Sequence, residues 1–269
     1  GAISGTPTND DVGAHTITVT ATDVALASTS DEFVLTVVNT NDAPTVTSPI
    51  ADASTDEDAA YSLDSSSAFT DVDVGDVQAY SMAGAPSSLS IAWSTGIISG
   101  SPTNDDVGTH TITVTATDAA GETASDSYDL TVVNTNDAPT VSTAIADAST
   151  DEDAAYSASP SFADVDVGDV LTYTMSGAPS TLSIDSATGA ISGTPTNDDV
   201  GAHTITVTAT DVALASASDE FVLTVVNTND APTVTSPIAD ASTDEDAAYS
   251  LDSSSAFTDV DVGDVQAYS

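Results

Sequence analysis

A ten-residue sequence, VVNTNDAPTV, occurs three times and fixes how the chain is organised. The copies begin at Val37, Val132 and Val225, which are 95 and then 93 residues apart. Residues 1–81 and 189–269 match at every position except one, where Thr29 is replaced by Ala217. Self-similarity at a fixed period is the signature of a tandem array of structural repeats. The array therefore has a higher-order period of 188 residues that contains two unlike repeats.

We call the polar stretch Asn-Thr-Asn-Asp in each copy a joint: the first joint is 39–42, the second 134–137 and the third 227–230. The Ala-Pro that follows each joint forces an extended entry into the next repeat, because proline lacks an N–H and restricts the residue before it. The joint itself carries only oxygen-bearing side chains. Two interpretations stay open, an ordinary Asx-rich turn and a metal-binding hinge, and the sequence as a whole favours the hinge.

The joints predict four segments. Residues 43–137 and 138–230 are expected to be complete domains, 1–42 the C-terminal half of a preceding domain, and 231–269 the N-terminal part of a following one. Half a sandwich leaves an open apolar face and unpaired strand edges. We therefore expect either that the chain is a window from a longer polypeptide or that the tail of one chain completes the head of another, a union that would lack residues 82–95.

The segments between the joints read as β-strands. From His110 to Thr117 apolar and polar residues alternate, which places Ile112, Val114 and Ala116 on a core face and the threonines outside. Further strands are predicted near 44–48, 59–63, 89–92, 97–100 and 170–175, with a final strand that buries Tyr128, Leu130 and Val132. About seven strands separated by Gly, Pro, Asp and Ser turns predict an all-β, immunoglobulin-like antiparallel sandwich in a linear array. No segment reads as a helix.

The charge of the chain limits its partners. It has 43 Asp and Glu, no Lys or Arg, and a formal charge of −43. Nucleic acid and anionic membrane surfaces are excluded as electrostatic partners, because they would be repelled. There is no cysteine, so disulfides and thiolate chemistry are absent. No apolar run is long enough to span a membrane as a helix, and 40% hydrophobic residues exclude a solvated acidic tail.

Four acidic clusters recur in each complete domain, all in predicted turns or at strand ends. They lie at 56–58, 71–76, 104–106 and 117–118, and again at 151–153, 164–169, 197–199 and 210–211. Ca²⁺ takes six to eight oxygen ligands, more than one of these loops supplies, so clusters from two neighbouring domains would have to converge at a joint. Zinc is disfavoured, because the only nitrogen ligands are three widely spaced histidines.

The chain resembles cadherin-like tandem repeats, most closely the dystroglycan-type cadherin-like and putative immunoglobulin modules of bacterial giant surface adhesins. The most specific stretch is Leu182 to Asp211, LSIDSATGAISGTPTNDDVGAHTITVTATD, followed by the joint sequence NTNDAP. The resemblance covers the whole chain. It implies calcium at the joints, held by an early Glu, an acid of a DRE-like motif, the joint itself, and a DxD pair and a later Asp in the next domain.

Transferred onto this sequence, the resemblance implies one set of ligands at each joint. At the first joint these are Asp10, Asn39, Asn41, Asp42, Asp71, Asp73 and Asp118. At the second they are Glu57, Asp105, Asn134, Asn136, Asp137, Asp164, Asp166 and Asp211. At the third they are Glu152, Asp198, Asn227, Asn229, Asp230, Asp259 and Asp261.

The joint departs from the cadherin motif DxNDNxP at two positions. Its first Asp is Asn134 here, and the Asn after the second Asp is Ala138. Loss of a carboxylate weakens a site, so we expect one or two ions per joint rather than three. The role of Asp105 passes to Asp106 if the register is shifted by one residue.

The remaining polar and aromatic residues give little indication of a catalytic site. His15, His110 and His203 occupy one equivalent position, predicted to face outward with the threonines, and no nucleophile and base recur beside them. We predict no enzyme. Trp93, the only tryptophan, stands where the sister repeat has Ser186, and either stacks on a sugar or packs in its loop.

The sequence thus predicts a calcium-stiffened extracellular spacer or filament shaft, part of a large adhesin or fibre at the cell surface. Its partners would be neighbouring repeats of the same or an adjoining chain, with self-assembly into a filament as a further expectation. A glycan-binding or homophilic adhesion module is the first alternative. A halophilic surface protein, acidic only for solubility, is the second.

Overall fold

The structure is a computed structural model that describes residues 1–73, 75–261 and 266–268. Two compact units, residues 1–135 and 136–269, make up the chain, and each is described by itself. Strands dominate both units. No helix in the described part of the chain is long and apolar enough to cross a membrane.

The first unit contains a sandwich formed by residues 43–135. Its strands follow β1 (Gly13–Thr22) and β2 (Ser28–Val37) and are β3 (Thr45–Val46), β4 (Ala53–Asp56), β5 (Tyr61–Asp64), β6 (Phe69–Thr70), β7 (Ala79–Ala83), β8 (Leu89–Ile91), β9 (Ile97–Gly100), β10 (Gly108–Thr117) and β11 (Thr123–Val133). Four strands in the order β4-β11-β10-β7 form one sheet, and β5-β9-β8 and β3-β6 form two smaller ones. The predicted all-β, immunoglobulin-like sandwich is confirmed.

The strand order adds a feature that the sequence pattern does not contain. The pairs β10–β11 and β10–β7 are antiparallel, whereas β4 runs parallel to β11, with Leu130 opposite Ala53. The domain also has nine described strands rather than about seven, because β3 and β6 are separate two-residue strands. The parallel pair joins the entry of the domain to its last strand, so the joint that follows β11 starts beside β4.

The core of this sandwich is the predicted apolar stripe. Ile112, Val114 and Ala116 on β10 are fully buried, and Tyr128 and Leu130 on β11 are 2% and 0% exposed. They pack against Ile98, Phe69 and Leu89 from the smaller sheets. Burial of such side chains contributes about 1.5–3 kcal/mol each, so this stripe holds the sheets together.

The second unit repeats the architecture over residues 138–226. Its strands are β12 (Thr140–Thr143), β13 (Ala148–Asp151), β14 (Tyr156–Ala158), β15 (Ser161–Ala163), β16 (Thr172–Ser176), β17 (Leu182–Ile184), β18 (Ile191–Gly193), β19 (Gly201–Thr210) and β20 (Ser216–Val226), followed by β21 (Thr233–Val234) and β22 (Phe257–Thr258). The large sheet is β13-β20-β19-β16, again with a parallel pair between β13 and β20. The strand predicted at 170–175 begins at Thr172.

Residues 1–42 have nearly the same sequence as residues 189–230 of the complete domain, but their environment differs. Apart from a 3-10 turn at Asn9–Asp11, they form only the hairpin β1–β2, with Ile17 opposite Phe33. Phe33 and Leu35 are each 42% exposed, whereas the equivalent Phe221 and Leu223 in the complete domain are 1% and 0% exposed. In that domain, elements from residues 138–188 such as Leu182 and Ile145 cover the face. Burial of this sheet therefore depends on the first half of the domain and not on the strands themselves.

Two local expectations were wrong. His110 has the same parity on β10 as Ile112, so it lies on the core side and not with the threonines, and it is half-buried. Its Nε2 is 2.7 Å from the main-chain oxygen of Asp106. Short 3-10 turns also occur where no helix was expected, at Asn9–Asp11, Ser66–Ala68, Asn104–Asp106, Asn197–Asp199 and Ser254–Ala256.

Close packing requires glycine at several positions, among them one equivalent pair, Gly84 and Gly177. Gly84 has φ +79°, and a Cβ there would lie 2.2 Å from the main-chain oxygen of Thr111. Gly177 repeats the arrangement, with φ +76° and a Cβ position 2.1 Å from the oxygen of Thr204. Only glycine fits where the backbone both turns into the left-handed region and touches β10 or β19.

Candidate metal centre

Each acidic 3-10 turn is stabilised by hydrogen bonds between the threonine before it and the last aspartate of the turn. Thr103 and Asp106 form a reciprocal cap, in which Asp106 Oδ2 accepts from the Thr103 N–H at 3.0 Å and from the Thr103 hydroxyl at 3.2 Å. Ser88 donates a third hydrogen bond to the same oxygen at 2.7 Å. These donors, the Ser88 hydroxyl above all, hold the pKa of Asp106 below its ordinary value. Asp106 is therefore occupied in fixing the turn.

The early glutamate of each domain is placed by the end of a strand and a tight turn. Glu152 follows β13, and its N–H donates to the main-chain oxygen of Val226 at 3.0 Å. The next residue, Asp153, has φ +56°, a conformation that aspartate tolerates better than most residues. Glu152 is only 2% exposed as a result. Glu57 repeats this in the first domain, with Asp58 at φ +57° and 2% exposure.

The third joint lies within the second unit, and carboxylates from both sides meet there. Glu152 Oε1 accepts from the Thr228 N–H at 2.6 Å, and Asp261 Oδ2 accepts from the Asp230 N–H at 2.7 Å. Carboxylate oxygens of Glu152, Asp230 and Asp261 all lie within 4.8 Å of one another. Asn197 donates to Asp230 Oδ2 at 2.8 Å. Residues before, within and after the joint thus form one cluster.

Several buried carboxylates at the joints use one oxygen and leave the other without a partner. Glu152 Oε2 is buried and accepts no hydrogen bond, although Oε1 holds Thr228. Asp166, 6% exposed, shows the same division: Oδ2 accepts from the Asp137 N–H at 2.8 Å, and Oδ1 is buried and unpartnered. A buried carboxylate oxygen without a donor costs several kcal/mol unless a cation compensates it.

The first joint lies within the first unit. Asp42 donates its N–H to Asp73 Oδ2 at 2.8 Å, and Asn9 donates to Asp42 Oδ2 at 2.8 Å. Asp73 in turn donates its N–H to Asp71 Oδ1 at 2.9 Å. Carboxylate oxygens of Asp71, Asp73 and Asp76 lie within 4.8 Å of one another. The DxD pair and the joint are therefore connected through the main chain.

The second joint spans the division between the units, so its two sides are described separately. On the first side, Glu57 Oε1 accepts from the Thr135 N–H at 2.8 Å, and Oε2 is buried and unpartnered. On the second side, Asn136 donates to Asp211 Oδ2 at 2.9 Å. Oxygens of Asp164, Asp166 and Asp169 lie within 4.8 Å of one another.

The electrostatics of the second unit's cluster are those of uncompensated negative charge. Desolvation raises the pKa of Asp169 above its ordinary value, and the neighbouring charges of Asp164, Asp166 and Asp211 raise it further. No side-chain ammonium or guanidinium exists in the chain to relieve them. A positive charge bound nearby would counteract this rise in the pKa of Asp169.

The structure brings most of the candidate ligands together within the units. Joint residues contact the following domain through the pairs Asn41–Asp118, Asp42–Asp73, Asn136–Asp211, Asp137–Asp166, Asn227–Asp261 and Asp230–Asp261. Asp71, Asp164 and Asp259 each hold the N–H of the second Asp of their DxD pair. Asn229 donates to the oxygen of Asp230 at 2.9 Å. Their role as ligands stays a prediction.

Five candidates lie at exposed positions, namely Asp10, Asp105, Asp198, Asn39 and Asn134. Their role as ligands stays a prediction. At the first and third joints the hydrogen bond from the acidic turn comes instead from the residue before the predicted acid, Asn9 or Asn197. The amide can donate to a joint carboxylate with one end and offer an oxygen with the other.

Sequence reasoning missed two further groups of residues. Asn9 and Asn197 precede the acids that were chosen, and the Thr-x-x-Asp cap signature around them could have fixed the register. Asp76 and Asp169 are the third acid of the sequence DVDVGD. Their recurrence three residues after the DxD pair was the available signal. Trp93 is 69% exposed.

The donor set fits a calcium ion. It consists of carboxylate and amide oxygens, with clustered oxygens close enough to share one cation whose bonds are about 2.3–2.6 Å long. Nearly complete burial of Glu152 and Asp166 with an unpartnered oxygen each supplies a reason for a cation to be there. Neither His nor Cys contributes to these clusters, which disfavours zinc.

The cap on Asp106 predicts a specific pH dependence. Because the folded-state pKa of Asp106 is lowered, its ionised form stabilises the fold above the ordinary pKa of 3.8, and that stability is lost as the pH falls through the lowered value. Ser88→Ala removes the hydroxyl hydrogen bond that is the largest cause of the lowered pKa of Asp106. We expect the pKa of Asp106 to rise in an NMR titration and stability above pH 4 to fall by about 1 kcal/mol.

The sister domain provides the control for this variant. Asp199 takes its corresponding hydrogen bond from Thr181 at 2.7 Å, so Ser88→Ala should leave its pKa unchanged. An equal shift at both aspartates, or none at Asp106, would show that the hydroxyl does not set the pKa.

Part of the chain is similar in sequence to a staphylococcal adhesin. It is 39% identical over 130 residues to the serine-rich adhesin for platelets of Staphylococcus aureus strain MRSA252, a stretch that covers 48% of this chain and 9% of the adhesin. The same adhesin in strain MSSA476 is 39% identical over the same length, which is 6% of that protein. The chain thus spans less than a tenth of the length of these relatives.

Among solved structures, mouse cadherin-23 repeats EC22–24 share the fold. That structure is 23% identical, with a TM-score of 0.52, and the match covers 83% of this chain and 78% of the cadherin fragment. An endo-fucoidan hydrolase of glycoside hydrolase family 107 is 25% identical over 83% of this chain and 35% of that one. Its TM-score of 0.36 carries no argument about activity.

The family comparison matches most of the chain and repeats with its period. The Putative Ig domain family matches residues 1–38, 43–133 and 138–226. These three matches, the sandwich topology and the cadherin-like fold agree with the resemblance found in the sequence. The chain is therefore a tandem array that belongs to the Putative Ig domain family.

Proposed function

We propose that the chain is a spacer segment of an extracellular, cell-surface adhesin or fibre, and that calcium stiffens its joints. The repeats would be residues 43–137 and 138–230, flanked by parts of two further repeats in 1–42 and 231–269. The partners would be neighbouring repeats, in the same chain or in an adjoining one. Such repeats would also assemble into a filament.

One observation carries the proposal. At the third joint, the acidic residues Glu152 and Asp261 are 2% and 7% exposed and flank Asp230, and the sequence contains no lysine or arginine. Two carboxylates about 4 Å apart repel by roughly 4 kcal/mol at an effective dielectric near 20. A cation that binds the cluster removes this repulsion and so favours the closed arrangement of the joint.

The joint residues determine what neutralisation would do. Glu152 accepts a hydrogen bond from the N–H of Thr228, and Asp261 accepts one from the N–H of Asp230. The two carboxylates thus bind the joint backbone from both sides. When a cation reduces the repulsion between the carboxylates, both hydrogen bonds can persist together and the joint loses conformational freedom. Without a cation, one of the two hydrogen bonds is expected to break, and successive domains can reorient.

The affinity needed is modest. Extracellular calcium modules of other kinds bind at about 10⁻⁴–10⁻³ M, so a saline, calcium-containing medium would suffice. At ten times the dissociation constant, each independent site adds about 1.4 kcal/mol to stability. Calcium binding at several joints in series would then determine whether an array is straight.

The relatives support a place at the cell surface. The staphylococcal protein is named as an adhesin, and the solved structure that shares the fold is a cadherin. Neither name denotes an enzyme. These similarities, together with acidic clusters at the joints, favour a spacer over a catalytic domain.

Small-angle scattering with and without calcium tests the proposal. We expect the maximum dimension of the whole chain to rise and its distance distribution to sharpen when calcium is added to chelated protein, because joint angles become restricted. An unchanged distance distribution between chelated and calcium-loaded protein would falsify the calcium-stiffening role.

Two controls separate calcium from general salt effects. Sodium chloride at matched ionic strength should not reproduce the change, whereas a protein that is acidic only for solubility in salt would respond equally to both. Magnesium should act weakly, because it requires near-octahedral geometry with shorter bonds of about 2.0–2.1 Å and gives up its water reluctantly.

A further inference from the structure

The two kinds of repeat differ at one position beside the joint. In the first complete domain, Asp118 is followed four residues later by Glu122. In the second, Asp211 is followed four residues later by Ala215. Both aspartates occupy the same place, since each accepts the N–H of that fourth residue through Oδ1 at 2.8 Å. The sister domains therefore present the same site with and without an extra carboxylate.

Glu122 contacts the first joint directly. The side-chain amide of Asn41 donates to Asp118 Oδ2 at 2.8 Å and to Glu122 Oε2 at 3.2 Å. One amide nitrogen thus binds two carboxylates, which holds both of them at the same joint residue. Asp118 is 5% exposed, and Glu122 lies on the solvent side of it.

At the second joint the corresponding amide has only one carboxylate in contact. Asn136 donates to Asp211 Oδ2 at 2.9 Å and to the main-chain oxygen of Asp137 at 2.9 Å. The methyl group of Ala215 stands where the other domain has a carboxylate. The formal charge beside the joint is therefore smaller by one.

Buried oxygens point to a ligand in both places. Asp73, 8% exposed, has a buried Oδ1 without a hydrogen-bond partner, and so does Asp166, which is 6% exposed. Each lies in a cluster of carboxylate oxygens within 4.8 Å of one another, together with Asp76 or Asp169. The sides of the two joints that belong to the following domain therefore have the same design and differ by the carboxylate of Glu122.

We propose that Glu122 is an affinity-determining carboxylate, so that joints alternate along the array between a tighter class, beside a Glu122-type loop, and a weaker class, beside an Ala215-type loop. This inference rests on the proposed calcium-binding function. Ligand charge is one of the two properties that tune calcium sites. An array of this kind would stiffen in two steps as the calcium concentration rises.

The expected size of the effect follows from exposure. Glu122 is exposed, so its attraction for a divalent ion is weakened by solvent and by salt. One such carboxylate beside the ion is expected to change the dissociation constant by about three- to tenfold at physiological ionic strength.

Reciprocal substitutions in the whole chain test the inference. Calcium is titrated by calorimetry, and NMR signals of the Asn41 and Asn136 side-chain amides report the two joints separately. Glu122→Ala should weaken binding at the first joint by about three- to tenfold and leave the second unchanged. Ala215→Glu should tighten the second joint by a similar factor. Each variant compares a joint with itself, so other differences between the joints do not enter.

A conservative variant separates charge from positioning. Glu122→Gln keeps an oxygen for Asn41 but removes the charge, and it should bind calcium as Glu122→Ala does. If it binds like the unchanged protein, the side chain only positions Asn41 and the inference is overturned. Thermal unfolding in chelator should be the same for Glu122→Ala and Glu122→Gln as for the unchanged chain, because Glu122 is exposed.

The failure of this inference differs from failure of the proposed function. If the unchanged chain binds no calcium at either joint, calcium stiffening itself is rejected. If it binds calcium, but Glu122→Ala and Ala215→Glu leave both affinities as they were, the joints are of one class and only the alternation is rejected.

Discussion

Phe221→Ala is expected to lower the free energy of unfolding of the second complete domain by about 3–5 kcal/mol, the usual cost of truncating a buried aromatic residue. Phe221 is 1% exposed and packs with Leu182, Ile191 and Ile205. Removing its ring leaves a cavity between the sheets. Since domains of this size are stable by about 5–15 kcal/mol, the loss is a large part of the total.

The chain contains a matched control for this substitution. Phe33 lies in a sequence identical to that of Phe221 over residues 1–42, apart from Thr29, and it pairs with Ile17 as Phe221 pairs with Ile205. It is 42% exposed. Phe33→Ala should therefore change the stability of either complete domain by less than about 0.5 kcal/mol.

Urea unfolding, followed by hydrogen exchange of the β19–β20 and β10–β11 amides, distinguishes the two domains. Phe221→Ala should reduce protection in β19–β20 alone. If that variant does not fold, Phe221→Leu offers a milder change in the same direction. A cost at Phe33 equal to that at Phe221 would mean that the face of β1–β2 is covered in solution, as a tail from a second chain would cover it.

Local periodicity explains why the core could be predicted. The alternation from Ile112 to Ala116 specifies which side chains face inward, because successive residues of a strand point to opposite faces. All three are fully buried, as are their counterparts Ile205, Val207 and Ala209. The same rule applied correctly to His110 would have placed it on the core side, so that error was one of parity and not of missing information.

Long-range pairing could not be obtained in this way. The parallel pairing of β4 with β11 joins residues almost eighty positions apart, and no local pattern distinguishes it from an antiparallel pair. The acids Asp126 and Asp219 show the same limit. Asp126 Oδ2 accepts the N–H of Ile50 at 2.6 Å, and Asp219 does so for Ile145, so these strand-face acids secure the start of the domain.

The candidate site was predictable in position but less so in detail. Three identical joints and their flanking acidic clusters indicated where oxygens gather, since repetition preserves them in every copy. Which residue of Asn-Asp-Asp faces the joint depends on the 3-10 turn that Thr196 and Asp199 cap. That turn brings the side-chain amide of Asn197 to Asp230. A shift of one residue in a tight turn redirects a side chain completely.

Glu152→Gln is expected to have effects of opposite sign with and without calcium. Glutamine keeps an oxygen that can accept the Thr228 N–H, so the grip on the joint backbone is preserved. In chelator, the loss of one negative charge from the cluster with Asp230 and Asp261 relieves repulsion, and the variant should be as stable as the unchanged chain or more so. With calcium, a ligand charge is missing, and affinity at the third joint should fall by about tenfold or more.

Glu245→Gln is the matched control. Glu245 stands at the equivalent position 188 residues after Glu57, in an identical local sequence, and it is exposed. Calcium titration of both variants, with thermal unfolding in chelator and in calcium, should show an effect at Glu152 alone. The reversal of sign is the decisive feature, because replacement of a purely structural glutamate would have the same effect with and without calcium. Equal destabilisation of Glu152→Gln in chelator and in calcium would therefore reject this carboxylate as a cation ligand and leave it as a backbone anchor.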